Sequence, residues 1–402
     1  MSNPGSPSPT LRRVLSLWQL LFYGLGVIVG AGIYVAIGAV IERAGPTAPL
    51  SFLLAGSAAA MTGLCYAELA GRFPDASGAV SYVRHGFGSD RLAMLTGVAV
   101  ALAVAIAAAS IARGAIDYLA VFVTAPAHLL IIALVGGFTA IAIYGVRESV
   151  GLAAALGAIE IAGLIAATIA GLLAAPEFHV ANMFPVDWAG WQGTVAGAFI
   201  AFFAFIGFET LANLGEEVTD PDRTLPRAII GAVAASIVLY VAVAMAVVLA
   251  DGAADSPLLG LFQGAGVPVF AAVGAMAVAN GVLIEIVMLA RLFYGMARQG
   301  QLPAFLGGVH PRTQTPVAAT LLAGAIVLAT ALLIPFEQLL VLANAMTLAV
   351  FTLVNVGLWR IQREETIPAD QPGQRFTVPR WLPPLAAALS LALLLMEIAF
   401  RF

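Results

Sequence analysis

Three carboxyl side chains, Glu160, Glu209 and Glu285, sit in long apolar stretches with no arginine three or four positions away. Those are the spacings at which helical side chains meet, so no local partner neutralises them. An ionisable group inside a bilayer costs at least roughly 2.5–3.5 kcal/mol on insertion scales, and each one needs a reason. Two chemistries fit. Removal from water favours the uncharged form of an acid, which makes each a candidate to take up and release a proton. A carboxylate that stays ionised would instead face the cationic end of a ligand. A neutral, hydrogen-bonded acid that serves only structure is the competing reading.

A second signal is glycine where a spanning helix would favour leucine. "GVIVGAGIYVAIG" (26–38) carries Gly26, Gly30 and Gly32, and "FFAFIGFETLANLGEE" (202–217) interrupts a later stretch. Glycine costs a helix interior about 1 kcal/mol relative to alanine. Unwinding at mid-membrane frees N–H and C=O groups, which is tolerated only where they line a cavity. Half-helix N-termini can then hold a carboxylate, and freed carbonyls an ammonium or cation. Close helix packing through small residues is the alternative use of the Gly26/Gly30 pair.

The surrounding elements must be membrane spans. Of 402 residues, 61% are hydrophobic and 10% charged, against about 25% charged in soluble domains. Eleven stretches approach the roughly 20 residues needed to cross the hydrocarbon core: 17–41, 48–70, 92–123, 127–146, 150–174, 193–215, 228–250, 268–296, 316–334, 338–360 and 382–400. The expected fold is therefore an all-α polytopic membrane protein in one transmembrane domain over 1–402. A polar tail (1–16) precedes two five-helix halves (17–174 and 193–360) and an extra helix (382–400). The tail has no small-residue cleavage site after an apolar region, so the first span reads as retained. All 18 basic residues are arginine. Placing the tail in the cytoplasm leaves only Arg43 and Arg401 outside and Arg113 within the third span, as the positive-inside rule asks. Arg113 and Asp117, four apart, read as a self-neutralising pair, and Glu68 as a partner of Arg72. A glycine-broken span opening each half points to a transporter built from inverted repeats.

At "GVIVGAGIY" (26–34), "CYAELAGRFPDASGAVSYV" (65–83), "FFAFIGFETLANLGEEVTDPDRTLPRAI" (202–229) and "ARLFYGMARQGQLPAFLGGVHPRTQTP" (290–316) the chain resembles the amino acid–polyamine–organocation (APC) superfamily. That resemblance implies a LeuT-like 5+5 inverted repeat with helices one and six broken. It implies a secondary active transporter of an amino acid or related amine, working by alternating access as a proton-coupled carrier or exchanger. It further implies the cytoplasmic membrane of a bacterium and a site formed by spans one, three, six and eight. Carried over by position, Gly30, Ala31 and Gly32 would hold the substrate carboxylate, and Ile28 would turn its carbonyl to the amino group. Phe203, Ile206 and Gly207 would form the second break, with Phe203 as an aromatic gate. Glu209 matches an acid that is proton-linked in some members. Glu285 falls where a span-eight residue touches substrate. Glu160 falls where several proton-coupled members carry lysine, and this chain has no lysine. A proton on Glu160, or less favourably a sodium ion shared with Asn280, would then serve coupling.

No cofactor, metal or nucleic-acid partner is expected beyond substrate, coupling ion and lipid, and the oligomeric state stays open. A membrane-embedded enzyme or a non-transporting sensor on the same scaffold are the rivals. Against an enzyme, there is no HExxH or GxSxG, and the four histidines are scattered at 85, 128, 179 and 310. A single cysteine, Cys65, offers no disulfide and no metal framework.

Overall fold

The computed structural model describes residues 15–74, 78–144, 150–175, 183–215, 218–250, 256–298, 300–313, 315–364 and 376–401. Their regular structure is helical, with one isolated parallel bridge between Leu15 and Val218. The helices are α1 (Leu17–Ala44), α2 (Ala48–Arg72), α3 (Ala79–Phe87), α4 (Asp90–Ala120), α5 (Ala127–Tyr144), α6 (Val150–Ala174), α7 (Trp188–Ala201), α8 (Phe208–Ala212), α9 (Pro221–Leu249), α10 (Pro257–Gly260), α11 (Gly266–Arg298), α12 (Val317–Leu333), α13 (Phe336–Glu364) and α14 (Leu382–Arg401). Each of the eleven stretches read as a span lies on one of these helices or, for the sixth, on a broken one. Eight described stretches are long and apolar enough to cross a membrane. The first of them, Leu17–Arg72, holds both α1 and α2, and two more apolar helices are shorter. Exposed tryptophans fall at two levels, Trp18 and Trp381 near one side and Trp188 and Trp191 near the other, as interfacial belts do.

Local signals set several ends. The Ser89 hydroxyl accepts from the Leu92 N–H at the start of α4, and Asp187 accepts from the Gly190 N–H at 2.7 Å to open α7. Both satisfy donors that a first helical turn leaves unpaired. The short α3 was not foreseen. It is an amphipathic helix burying Ser81, Tyr82 and Val83, and at nine residues it is too brief to read as a span.

The two halves pack as counterparts. α1 lies on α7 and the turn after it, α2 on α9, α4 on α11, and α5 on α12.

The break in span six is present. α7 tightens into a 3-10 turn at Phe202–Phe205, Ile206 is extended (ψ 137°), and Gly207 takes φ 129° before α8 begins. That left-handed region is open to glycine and strained for other residues. The expected break in helix one is corrected: α1 runs as continuous helix through 26–38. Glycine lowers the cost of unwinding without compelling it, and here the glycines allow close approach instead. A methyl on Gly32 would lie 2.5 Å from the Ala204 carbonyl oxygen, and one on Gly157 of α6 would lie 2.6 Å from the Gly26 α-carbon. Ile28 and Val29 are fully buried, so this stretch faces protein.

The side on which α1 begins is tied shut. The Thr219 N–H donates to the Leu15 carbonyl at 3.1 Å. The buried Glu68 carboxylate accepts from Arg72, from Gln362 Nε2 of α13 at 2.9 Å, and from the Val378 N–H at 2.7 Å. The expected Glu68–Arg72 pair is thus one part of a knot joining α2, α13 and the approach to α14.

Gly32→Ala should press a methyl into backbone and lower stability by about 1–3 kcal/mol, the usual cost of overpacking. Gly136→Ala, which meets nothing within 4 Å, should leave the melting temperature of the purified protein unchanged or raised. Equal melting of the two variants would remove the close-approach role of Gly32.

Candidate functional site

Where α1, the break in span six, α4 and α11 converge, they enclose a cavity of about 30 Å³. That volume suits roughly two water molecules. Its lining is Gly26, Val27 and Gly32 from α1; Ala107 and Ile111 from α4; Phe203 and Ile206 from the break; and Asn280, Gly281, Ile284 and Glu285 from α11. Among the described lining residues Glu285 alone has an ionisable side chain. Each contribution follows from local structure. Ile206 reaches the cavity because the chain leaves helical geometry there, and Phe203 because the 3-10 turn points its ring across the break. Phe203 is 3% exposed. A molecule larger than water enters only if this ring or the helices around it move.

The Gly207 main chain in the break is partnered on both sides. The Gly207 N–H donates to Glu209 Oε2 at 2.9 Å, and the Thr210 hydroxyl donates to the Gly207 carbonyl at 2.6 Å. Glu209 therefore closes the N-terminal turn of α8, and it lies within electrostatic reach of Glu285. On α9, the Tyr240 hydroxyl is 2.7 Å from the Ile28 carbonyl and 2.9 Å from the Ala204 carbonyl.

Glu160 is buried on α6, beside the cavity wall. Asn280 Nδ2 donates to its Oε1 at 3.3 Å, while Oε2 has no partner among the described residues. Its main-chain carbonyl accepts from the Tyr34 hydroxyl at 2.8 Å.

The residues singled out from sequence divide as follows. Gly32, Phe203, Ile206, Asn280 and Glu285 come together around the cavity, Glu160 stands behind Asn280, and Gly207 and Glu209 form the break itself. Ile28 is a correction: its carbonyl bonds Tyr240, away from the cavity, because a carbonyl of an unbroken helix has only its second lone pair to give. For Gly30 and Ala31 only the helical main chain is described, and their expected lining roles lie outside the described side chains. Sequence reasoning missed Val27, Ala107, Ile111, Gly281 and Ile284. Gly281 and Ile284 were inferable from helical spacing around Glu285, whereas α4 offers only small apolar residues with no distinguishing mark.

A larger vestibule of about 800 Å³ opens on the side where α1 ends, lined among others by Glu42, Arg113, Asp117 and Glu337, with Tyr34 and Tyr118 on its wall. Arg113 and Asp117 share the lining of this vestibule, and Arg113 Nε donates to the Ala331 carbonyl at 2.6 Å.

These features meet in one class, helical membrane proteins with a central cavity at a broken span. The chain belongs to the amino acid permease family, whose pattern matches residues 15–402. It is 32% identical over 379 residues to the vacuolar cationic amino acid transporter 4 of Arabidopsis thaliana, covering 86% of this chain and 62% of that one. It is also 32% identical to the methylthioribose transporter of Bacillus subtilis, covering 88% and 82%. The chain thus spans about three fifths of the length of the plant relatives. A crystal structure of the Eremococcus coleocola manganese transporter, with an aromatic bis-isothiourea compound bound, matches with a TM-score of 0.58 at 15% identity. That match covers 97% of this chain and 88% of that one. It establishes the fold, a LeuT-like helical transporter fold.

Two substitutions probe the cavity. Phe203→Ala should weaken ligand binding measured by thermal shift, while Phe203→Tyr or Trp should be tolerated. An alanine variant that binds like the parent returns Phe203 to packing. Glu285→Gln should cost cationic ligands about 1.5–3 kcal/mol, the worth of a hydrogen bond to a charged group, and spare neutral ones. Affinities for both classes that fall together, or do not move, would take Glu285 out of the ligand's reach.

Proposed function

We propose that the chain is a secondary active transporter that moves a cationic amino acid or related amine by alternating access, coupled to protons. The observation that carries this reading is the central cavity: a carboxylate on an otherwise uncharged lining, at the junction of a broken span and a glycine-bearing one. Glu285 would face the cationic group, and Phe203 would cap the substrate beside Gly32 of α1. The relatives named as cationic amino acid transporters agree with an acid at this point. The methylthioribose transporter carries the family's other direction, toward an uncharged sugar-like substrate, and Glu285 argues against it here. A protein that moved nothing, a sensor or an enzyme, would bind ligand without accumulating it.

Glu160 is the proposed coupling residue. It is buried, held by a single amide at one oxygen, and next to the cavity wall, so a proton arriving or leaving changes its bond to Asn280. Protonated, it offers a donor; ionised, only acceptors. We place the N-terminus in the cytoplasm of a bacterial cell, on the arginine distribution, so the vestibule faces outward and the Glu68 knot inward.

Proteoliposomes test the whole reading. Labelled arginine, lysine and polyamines should accumulate under an inward acid gradient, without requiring sodium. Glu160→Gln, which imitates the protonated acid, should exchange substrate across the membrane yet lose gradient-driven accumulation. If that variant still accumulates on a proton gradient, or if the parent accumulates only with sodium, Glu160 is not a proton-coupling site. Absence of uptake for every cationic ligand that binds would favour the sensor.

A further inference from the structure

Between the cavity and the vestibule stands an aromatic partition contributed by α1, α4 and α11. Tyr34 of α1 packs edge-on against Tyr118 of α4, with centroids 6.0 Å apart, and stacks on Phe270 of α11 at 5.9 Å. Phe262 stacks behind Phe270 at 4.5 Å. Glycines make room for both tyrosines. A methyl on Gly274 would meet the Tyr118 ring at 2.4 Å, and one on Gly163 would meet the Tyr34 hydroxyl at 2.7 Å. Tyr34 lies two residues beyond Gly32, and Tyr118 seven beyond Ile111, so the partition stands roughly 3–10 Å outward of the cavity at 1.5 Å per residue.

The partition's hydrogen bonds form a chain with a direction. The Tyr118 hydroxyl donates to the Tyr34 carbonyl at 2.8 Å, and the Tyr34 hydroxyl donates to the Glu160 carbonyl at 2.8 Å. Tyr34 cannot leave its place without releasing α6 at the very residue whose side chain reaches Asn280. We propose that Tyr34 is a positioning residue that ties closure of the aromatic partition to the seat of Glu160 on α6. With the partition closed, Tyr34 pins the Glu160 main chain, and the carboxyl keeps its distance to Asn280. With Tyr34 displaced, α6 is free to shift there and the carboxyl changes surroundings.

The inference rests on Glu160 as the coupling residue. The titratable groups facing Glu160 are Tyr34 from α1 and Tyr240 from α9, and α11 contributes the uncharged Asn280. Neither phenol ionises near neutrality; Glu285 lines the cavity and Glu209 lies in the break, so the pH response assigned to Glu160 is the part that Glu160→Gln removes.

The test uses the full chain in proteoliposomes. The protein has one native cysteine, Cys65, which is buried. Ile111→Cys therefore places a distinct thiol on the cavity wall, and an impermeant maleimide added from outside reads partition opening as a labelling rate. Tyr34→Phe keeps the ring and deletes the donor. It should raise that rate by about 2- to 12-fold, the factor one net hydrogen bond contributes. Taken relative to an exposed cysteine control labelled at the same pH, because the thiolate fraction alone raises maleimide labelling with pH, the rate should also lose its dependence on external pH between 5 and 8, the range scanned for coupling. Labelling at the parental rate, or faster labelling with the pH dependence intact, overturns the tie. Glu160→Gln in the same background separates the two readings. Persistent pH dependence in Glu160→Gln sinks Glu160 as the coupling residue. A flat profile in Glu160→Gln with an unchanged one in Tyr34→Phe sinks only the role of Tyr34.

Discussion

Everything in the site follows from one constraint: a main-chain N–H or C=O inside the membrane must have a partner. Span six breaks its ladder at Ile206–Gly207, and the break is supported by local partners for three of its groups. The Ile206 N–H returns to the Phe203 carbonyl, Thr210 gives both its N–H and its hydroxyl to the Gly207 carbonyl, and Glu209 takes the Gly207 N–H. A carboxylate placed two residues after the glycine thus has a structural task before it has any other. This explains why an acid is tolerated at Glu209 without a basic partner, and it separates that residue from Glu285, which no such bond restrains and which looks into the cavity.

The same constraint explains what the sequence could reveal and what it could not. Long apolar runs fix spans because hydrocarbon thickness does, and the eleven runs fall on helices. The break at "FIGFE" was legible because one glycine there combines with an acid and a threonine that can replace the lost ladder bonds. "GVIVGAGIY" has the glycines without replacements: apart from Gly26, Gly30, Ala31 and Gly32, its residues are Val, Ile and Tyr, and only Tyr34 carries a polar side chain. With nothing nearby to meet freed groups, α1 keeps its ladder. Its glycines serve contact with Ala204 and Gly157 instead, a use that single-chain reading cannot tell from unwinding. The partition was illegible for another reason. Tyr34, Tyr118 and Phe270 are apolar-looking residues on three separate spans, and only the packing of α1, α4 and α11 brings them together.

Charge is placed according to the same economy of water. Arg113, Asp117, Glu42 and Glu337 border the vestibule, where solvent shields them and a charge costs little. Glu68 is buried among three donors from three segments, so it is satisfied and immobile. Glu160 differs from both, since one of its oxygens is partnered and the other is not. A buried carboxyl with half its capacity unmet is expensive to keep ionised, and its balance is tipped by a single proton. Among the described residues it is the acid that keeps a fully buried carboxyl oxygen without a partner.

Tyr240 of α9 ties α1 to the break. Its hydroxyl lies within hydrogen-bond distance of two carbonyls, Ile28 on α1 and Ala204 in the break, but has one proton to donate. At any moment one bond is made and the other acceptor relies on its helical partner or stands in contact only. Moving the proton from one carbonyl to the other needs only a rotation about the phenolic C–O bond. α1 and the broken span are therefore joined to α9 through a single donor that either carbonyl can accept. A fixed salt bridge at that point would lock the two spans together, and an apolar residue would leave Ala204, where the helical ladder is failing, without its donor. A buried hydroxyl between two acceptors satisfies the membrane's constraint and still permits motion.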